Sequence, residues 1–178
     1  PHHPFDPPAP YSTMYDPDRL SLPVRREGEL EDKPPHFRRH REGRGCSNEK
    51  YDYRRLSDHE WGEVKAAYYG MVSLVDYNIG RIFQALREQG LEEDTLIMFT
   101  NDHGELMGDH GLLFKGPFHY DCLIKAPMIL QWPGVVPKGA RYNQITEHVD
   151  IMPTLLDLAG AAVPYGTQGM SMAPILRG

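Results

Sequence analysis

The sequence predicts an α/β fold. Three observations carry this: a long amphipathic helix, an apolar strand that follows it after a short turn, and a second apolar strand further along. Helix, short loop and strand in that order form half of a right-handed crossover unit. A chain of 178 residues, 40% of them hydrophobic, is enough for one domain with a core. Sixteen prolines and 17 glycines imply long irregular stretches. The net charge of −6 argues against a nucleic-acid partner. No apolar run approaches the roughly 18 residues of a membrane span.

Residues 1–56 read as a Pro-rich loop region and 57–178 as the helix–strand core of the same domain. The opening Pro1-His2-His3-Pro4-Phe5-Asp6-Pro7-Pro8 cannot form a helix and makes a poor central strand. The basic stretch Lys33–Arg44 reads as a solvated loop, or as a cationic rim that draws in an anionic substrate. Ser57-Asp58-His59-Glu60 is a capping box. Beyond it, Trp61, Val64, Tyr68, Met71, Val75, Ile79, Ile82 and Leu86 recur at spacings of three or four, one stripe of a helix that Gly90 ends. Asp76 and Asn78 read as ordinary helix-surface or packing-edge polar residues of that helix. Thr95–Thr100 is the first strand and Met128–Trp132 the second, stopped by Pro133-Gly134. Residues 103–120 are Gly-rich and too irregular for a helix, Asp150–Ala159 reads as a short helix, and Gly166–Gly178 as a loop. Cys46 and Cys122 lack metal-ligand spacing and read as unpaired thiols, with a pairing left open.

Chemistry concentrates just past the first strand. Asp102 and His103 stand side by side where it ends, the place where open α/β sheets bind ligands. They are a metal pair or, equally, a turn aspartate and a hydrogen-bonded histidine. Lys115 sits among Phe114, Gly116, Pro117 and Phe118, a constrained apolar setting that suits an ammonium aimed at an anionic oxygen. His110 faces a cleft or is satisfied by local hydrogen bonds. His2 would ordinarily be dismissed as a terminal residue.

These residues together resemble the sulfatases of the alkaline-phosphatase-like superfamily, over nearly the whole chain. Pro1-His2-His3-Pro4-Phe5 resembles the family's Pro-His-x-Pro segment. Tyr68-Tyr69-Gly70-Met71-Val72 with Asp76, Gly80 and Leu86 resembles its long helix. Phe99-Thr100-Asn101-Asp102-His103-Gly104, Gly108-Asp109-His110-Gly111 and Lys115-Gly116 resemble its second metal motif and catalytic lysine. Val149-Asp150-Ile151-Met152-Pro153-Thr154 also fits.

The resemblance implies a larger mixed, mostly parallel sheet flanked by helices, and hydrolysis of a small-molecule or saccharide sulfate ester. Asp102 and His103 would be metal ligands, with Asp-His as in iduronate-type sulfatases and phosphonate monoester hydrolase-like relatives. Lys115 would hold the sulfate, His2 would serve the leaving-group oxygen with His3 as the register alternative, and His110 would contact substrate. The cation would be divalent, Ca²⁺ first, with Mn²⁺ or Zn²⁺ as alternatives. The family nucleophile is a formylglycine made from a Cys or Ser in a Cys/Ser-x-Pro/Ala-x-Arg motif. Neither Cys46-Ser47-Asn48-Glu49-Lys50 nor Cys122-Leu123-Ile124-Lys125-Ala126 matches it, and the family's early Asp-Asp pair is absent. The resemblance therefore implies an interior or C-terminal portion of a sulfatase. A phosphodiesterase or phosphonate monoesterase on the same scaffold, and a non-catalytic anion-binding remnant, are the alternatives.

Overall fold

A computed structural model describes residues 1–42 and 53–177. Its regular elements in chain order are α1 (Pro35–Arg41), α2 (Asp58–Glu88), β1 (Ile97–Thr100), α3 (Asp121–Ile124), β2 (Met128–Gln131), α4 (Ile151–Leu158) and α5 (Ala173–Arg177). Two compact units result, residues 1–84 with 103–126 and residues 85–102 with 127–178. Cys46 lies outside the described residues, and Cys122 carries a free, half-buried thiol.

In the first unit, α2 starts on the predicted capping box. The Glu60 carboxylate accepts the Ser57 N–H at 2.7 Å and the Ser57 hydroxyl accepts the Glu60 N–H at 3.3 Å. Beyond its last turn Gly90 takes φ +68°, and the Leu91 N–H reaches back to the Leu86 carbonyl at 2.9 Å. The helix buries Trp61 and Ala66, whereas Val75 and Ile82 of the same stripe stay exposed. Asp76 is exposed and Asn78 donates to the Leu74 carbonyl, as packing-edge residues do.

The Pro-rich segment lies directly on α2 because two positions there lack a side chain. A Cβ at Gly62 would strike the Pro17 carbonyl, and one at Gly70 the Tyr11 carbonyl. Polar contacts tie the segment down: Lys65 Nζ donates to the Ser21 carbonyl at 2.7 Å, and the Tyr15 and Ser73 hydroxyls meet at 2.7 Å. Leu30, Leu106, Leu112, Phe118 and Leu123 form the main core of this unit, with Phe37, Tyr120 and Cys122 packed on it.

The described part of the basic stretch, Lys33–Glu42, is not simply a loop. Pro35 opens α1, tolerated in a first turn where its missing N–H costs nothing. Phe37 packs on the core, and His40 is buried with its Nε2–H donating to the Leu113 carbonyl at 2.8 Å. Tertiary contacts on one face thus make a helix of a stretch whose charge alone suggests a solvated loop.

In the second unit, β1 and β2 pair antiparallel in the register Ile97 with Gln131, Met98 with Leu130, Phe99 with Ile129 and Thr100 with Met128. The one strand pair here is therefore not parallel. α4 follows a 3-10 turn at His148–Asp150, and its Leu158 packs with Met172, Ala173 and Leu176 against Leu96, Met128, Leu130 and Trp132. Thr154, fully buried, joins these pieces: its hydroxyl donates to the Asp150 carbonyl at 2.6 Å and accepts the Met172 N–H at 2.8 Å. The C-terminal stretch read as loop contains α5, a short helix whose Ala173 and Leu176 are held by that core. No helix of the described residues is long and apolar enough to cross a membrane.

Candidate active site

The segment after β1 is held by backbone contacts rather than by regular structure. Asp102, exposed, closes the 85–102 segment of the second unit, and His103, half-buried, opens the 103–126 segment of the first. The next residue has no choice of side chain: the Gly104 N–H donates to the Leu123 carbonyl at 2.8 Å, and a Cβ at Gly104 would overlap the Cys122 carbonyl. The His103 Nδ1–H donates to the Gly104 carbonyl at 2.8 Å, which places the lone pair of the neutral ring on Nε2.

Lys115 is positioned by a strained turn. Met107, His110 and Phe114 all take positive φ, at 48°, 60° and 63°. Such conformations in non-glycine residues cost on the order of 1–3 kcal/mol each and persist where surroundings over-determine them. At Phe114 the surroundings are visible: its carbonyl accepts the Leu106 N–H at 3.0 Å, and its ring contacts Trp61 and Leu113. The ring also meets His3 at 4.7 Å and Phe5 at 5.9 Å between centroids. Fixing Phe114 fixes the direction in which half-exposed Lys115 leaves the chain.

The N-terminal histidines come to this place. His2 and His3 rings lie 4.1 Å apart, and the His2 Nδ1–H donates to the His3 carbonyl at 2.7 Å. Burial lowers the His3 pKa, helped by the positive charges of His2 and Lys115. Glu105 completes the group. Burial raises its pKa, opposed by the backbone N–H groups of Leu106 and Met107 and by the charges of Lys115 and His103. The Tyr68 hydroxyl is also pushed up, first by burial and then by Glu105.

The first unit therefore gathers His2, His103 and Lys115, all expected from sequence, with His3, Glu105 and Tyr68. His110 is engaged elsewhere in the unit: its ring stacks on Tyr120 at 3.8 Å and its Nδ1 lies 3.2 Å from a Glu29 carboxylate oxygen. Sequence reasoning missed Glu105 and Tyr68. The available signal was that Glu105 follows His103 at two residues, on the segment already singled out.

Among the described residues, no three His, Cys, Asp or Glu side chains are grouped to hold a metal ion. Two adjacent donors do not furnish the six to eight oxygen ligands of a hard cation such as Ca²⁺. The residues described here thus do not by themselves fit a complete Ca²⁺ site.

Comparison with known proteins gives a family model, Sulfatase, that matches residues 1–161. An arylsulfatase of Clostridium perfringens is 34% identical over 182 aligned residues, covering 99% of this chain and 35% of that protein. A phosphonate monoester hydrolase from Silicibacter pomeroyi superposes with a TM-score of 0.87 at 36% identity, covering 99% of this chain and 35% of the other. A structure solved with its substrate D-glucosamine-2-N,6-O-disulfate superposes at 0.64 with 34% identity, over 67% of this chain and 24% of the other. The chain spans about a third of the length of the first two of these relatives.

Proposed function

The chain belongs to the sulfatase family, and on that premise we propose that the protein hydrolyses a sulfate ester, carried by a small molecule or a saccharide. The supporting observation is that His3, its ring beside that of His2, meets the Phe114 ring of the strained turn that carries Lys115, whose charge acts on His3. An ammonium there neutralises charge on the sulfuryl oxygens, and because it is preoriented it acts without reorganisation. His2, bonded through Nδ1, offers Nε2 to the bridging oxygen, where a proton assists departure of the alcohol. His110, stacked on Tyr120 and 3.2 Å from Glu29 away from that group, stays in the proposal only as the substrate contact the resemblance implies.

Asp102 and His103 are the proposed metal ligands, for a divalent cation with Ca²⁺ first and Mn²⁺ or Zn²⁺ as alternatives. Such a cation, when bound, supplies Lewis-acid stabilisation of sulfuryl charge. The nucleophile proposed is the family's formylglycine, for which this chain has no matching motif. The β1–β2 pair is proposed to be part of a larger, mostly parallel mixed sheet flanked by helices.

A second reading is favoured by one observation, the TM-score of 0.87 against a phosphonate monoester hydrolase. The same cationic site serves a phosphonate or phosphate diester, which also presents anionic oxygens and an alcohol leaving group. Turnover of an aryl sulfate against an aryl phosphonate monoester by the full-length protein decides between them. Faster hydrolysis of the sulfate is expected, and faster hydrolysis of the phosphonate overturns the sulfatase reading.

A further inference from the structure

Glu105 is a carboxylate in a place where a site for anions has least use for one. It is half-buried, and Lys115, His103, Tyr68 and Cys122 are among the groups that sense its charge. The geometry that puts it there is independent of those charges. The Leu106 N–H is shared: it donates to the Phe114 carbonyl at 3.0 Å and to Glu105 Oε1, also at 3.0 Å. Glu105 and Lys115 therefore flank a single backbone bridge, Glu105 preceding Leu106 and Lys115 following Phe114. Nothing in the reaction described above uses Glu105.

We propose that Glu105 is a positioning and affinity-setting residue: its carboxylate, one backbone bridge from Lys115, holds the anion site below the affinity the ammonium alone would give, so that the sulfate product leaves. This rests on the reading of Lys115 as the anion-holding group. The physical reason is that binding substrate and transition state equally well gains nothing in turnover, and a site that grips a free dianion is slowed by its own product. A carboxylate one backbone bridge away weakens every anion held there by charge, and its half-burial limits how far water screens that effect. It also pulls the ammonium toward one direction, which a neutral neighbour would not do.

The test is binding of inorganic sulfate to the full-length protein, by titration calorimetry at mildly alkaline pH. Glu105→Gln keeps an acceptor for the Leu106 N–H and removes the charge, Glu105→Leu removes both, and Glu105→Asp keeps the charge. The expected result is sulfate affinity about tenfold tighter in Glu105→Gln and stronger product inhibition, with Glu105→Asp within about twofold of wild type. A folded Gln or Leu variant that binds sulfate no more tightly than wild type overturns the proposal while leaving the anion site standing. Loss of folding in both the Gln and Leu variants overturns it too, because the carboxylate is then structural. Absence of sulfate binding to the wild-type protein overturns the anion-site reading and this inference with it.

Discussion

Replacing Lys115 by alanine separates catalysis from folding more cleanly than any other change in this chain. The side chain is half-exposed, and no hydrogen bond or ion pair among the described residues involves its ammonium. The strained turn beneath it is held by the Phe114 ring and by the Leu106–Phe114 backbone bond, neither of which the substitution touches. Truncation is therefore expected to change stability by no more than about 0.5 kcal/mol. For a chain of this size that is roughly 1–2 °C in the unfolding midpoint. Catalysis is another matter. Loss of one preorganised charge at a developing anion typically costs about 2–4 kcal/mol. At 1.36 kcal/mol per factor of ten, this is roughly a 30- to 900-fold fall in kcat. The assay is steady-state hydrolysis of an aryl sulfate by the full-length protein, beside a thermal scan of the same preparation. Lys115→Arg should recover only part of the loss, since a planar fork does not reproduce a point charge. A folded Lys115→Ala protein with wild-type turnover refutes the assignment.

Three further outcomes follow from geometry described above. Asp102→Ala and His103→Ala in the full-length protein should each lower bound metal as read by elemental analysis, and unchanged stoichiometry in both removes them from the ligand set. Thr154→Val should destabilise the chain by about 1–3 kcal/mol in urea unfolding, because the buried Met172 N–H loses its acceptor; an unchanged midpoint would mean that this junction carries no stability. His59 forms a 2.7 Å contact with Asp18, and that hydrogen bond and charge raise its pKa above 6.5. A raised pKa contributes stability that is fully present below the unfolded value and is lost as pH rises through the folded one. His59→Gln should therefore lower the unfolding midpoint under mildly acidic conditions and leave it unchanged well above neutrality; an equal shift in both conditions contradicts the linkage.

How much of this was legible in the sequence depends on range. α2 was readable from end to end because its cap, its stripe and its stop are all local: Ser57 with Glu60, the three-four spacing, and Gly90. The strands at Ile97–Thr100 and Met128–Gln131 were readable as apolar runs, but not their antiparallel pairing, which no local pattern encodes. α1 was hidden because what folds it, burial of His40 against the Leu113 carbonyl 73 positions on and packing of Phe37 on a cluster drawn mostly from residues 106–123, is distant in sequence. α5 is a single turn sustained by contacts with Leu158 and Met172. At the site, Asp102, His103 and Lys115 stood out by motif. Glu105 did not, since its closeness to Lys115 depends on the Leu106–Phe114 bond across the loop. His3 stood only as the register alternative to His2, and its contact with the Phe114 ring was not legible.

The absent side chain at Gly104 reaches beyond this protein. Because a β-carbon there would run into the Cys122 carbonyl, the run from His103 to Glu105 is shaped by a helical turn about twenty residues downstream as much as by its own sequence. The motif is thus not portable. Grafting Asp-His-Gly-Glu onto the end of another strand would transplant the letters without the carbonyl wall that orders them, and a designer would have to carry α3 along as the mould in which the segment is cast. Drift has the same constraint: substitutions around Cys122 that move its carbonyl re-aim His103 and Glu105 without altering either.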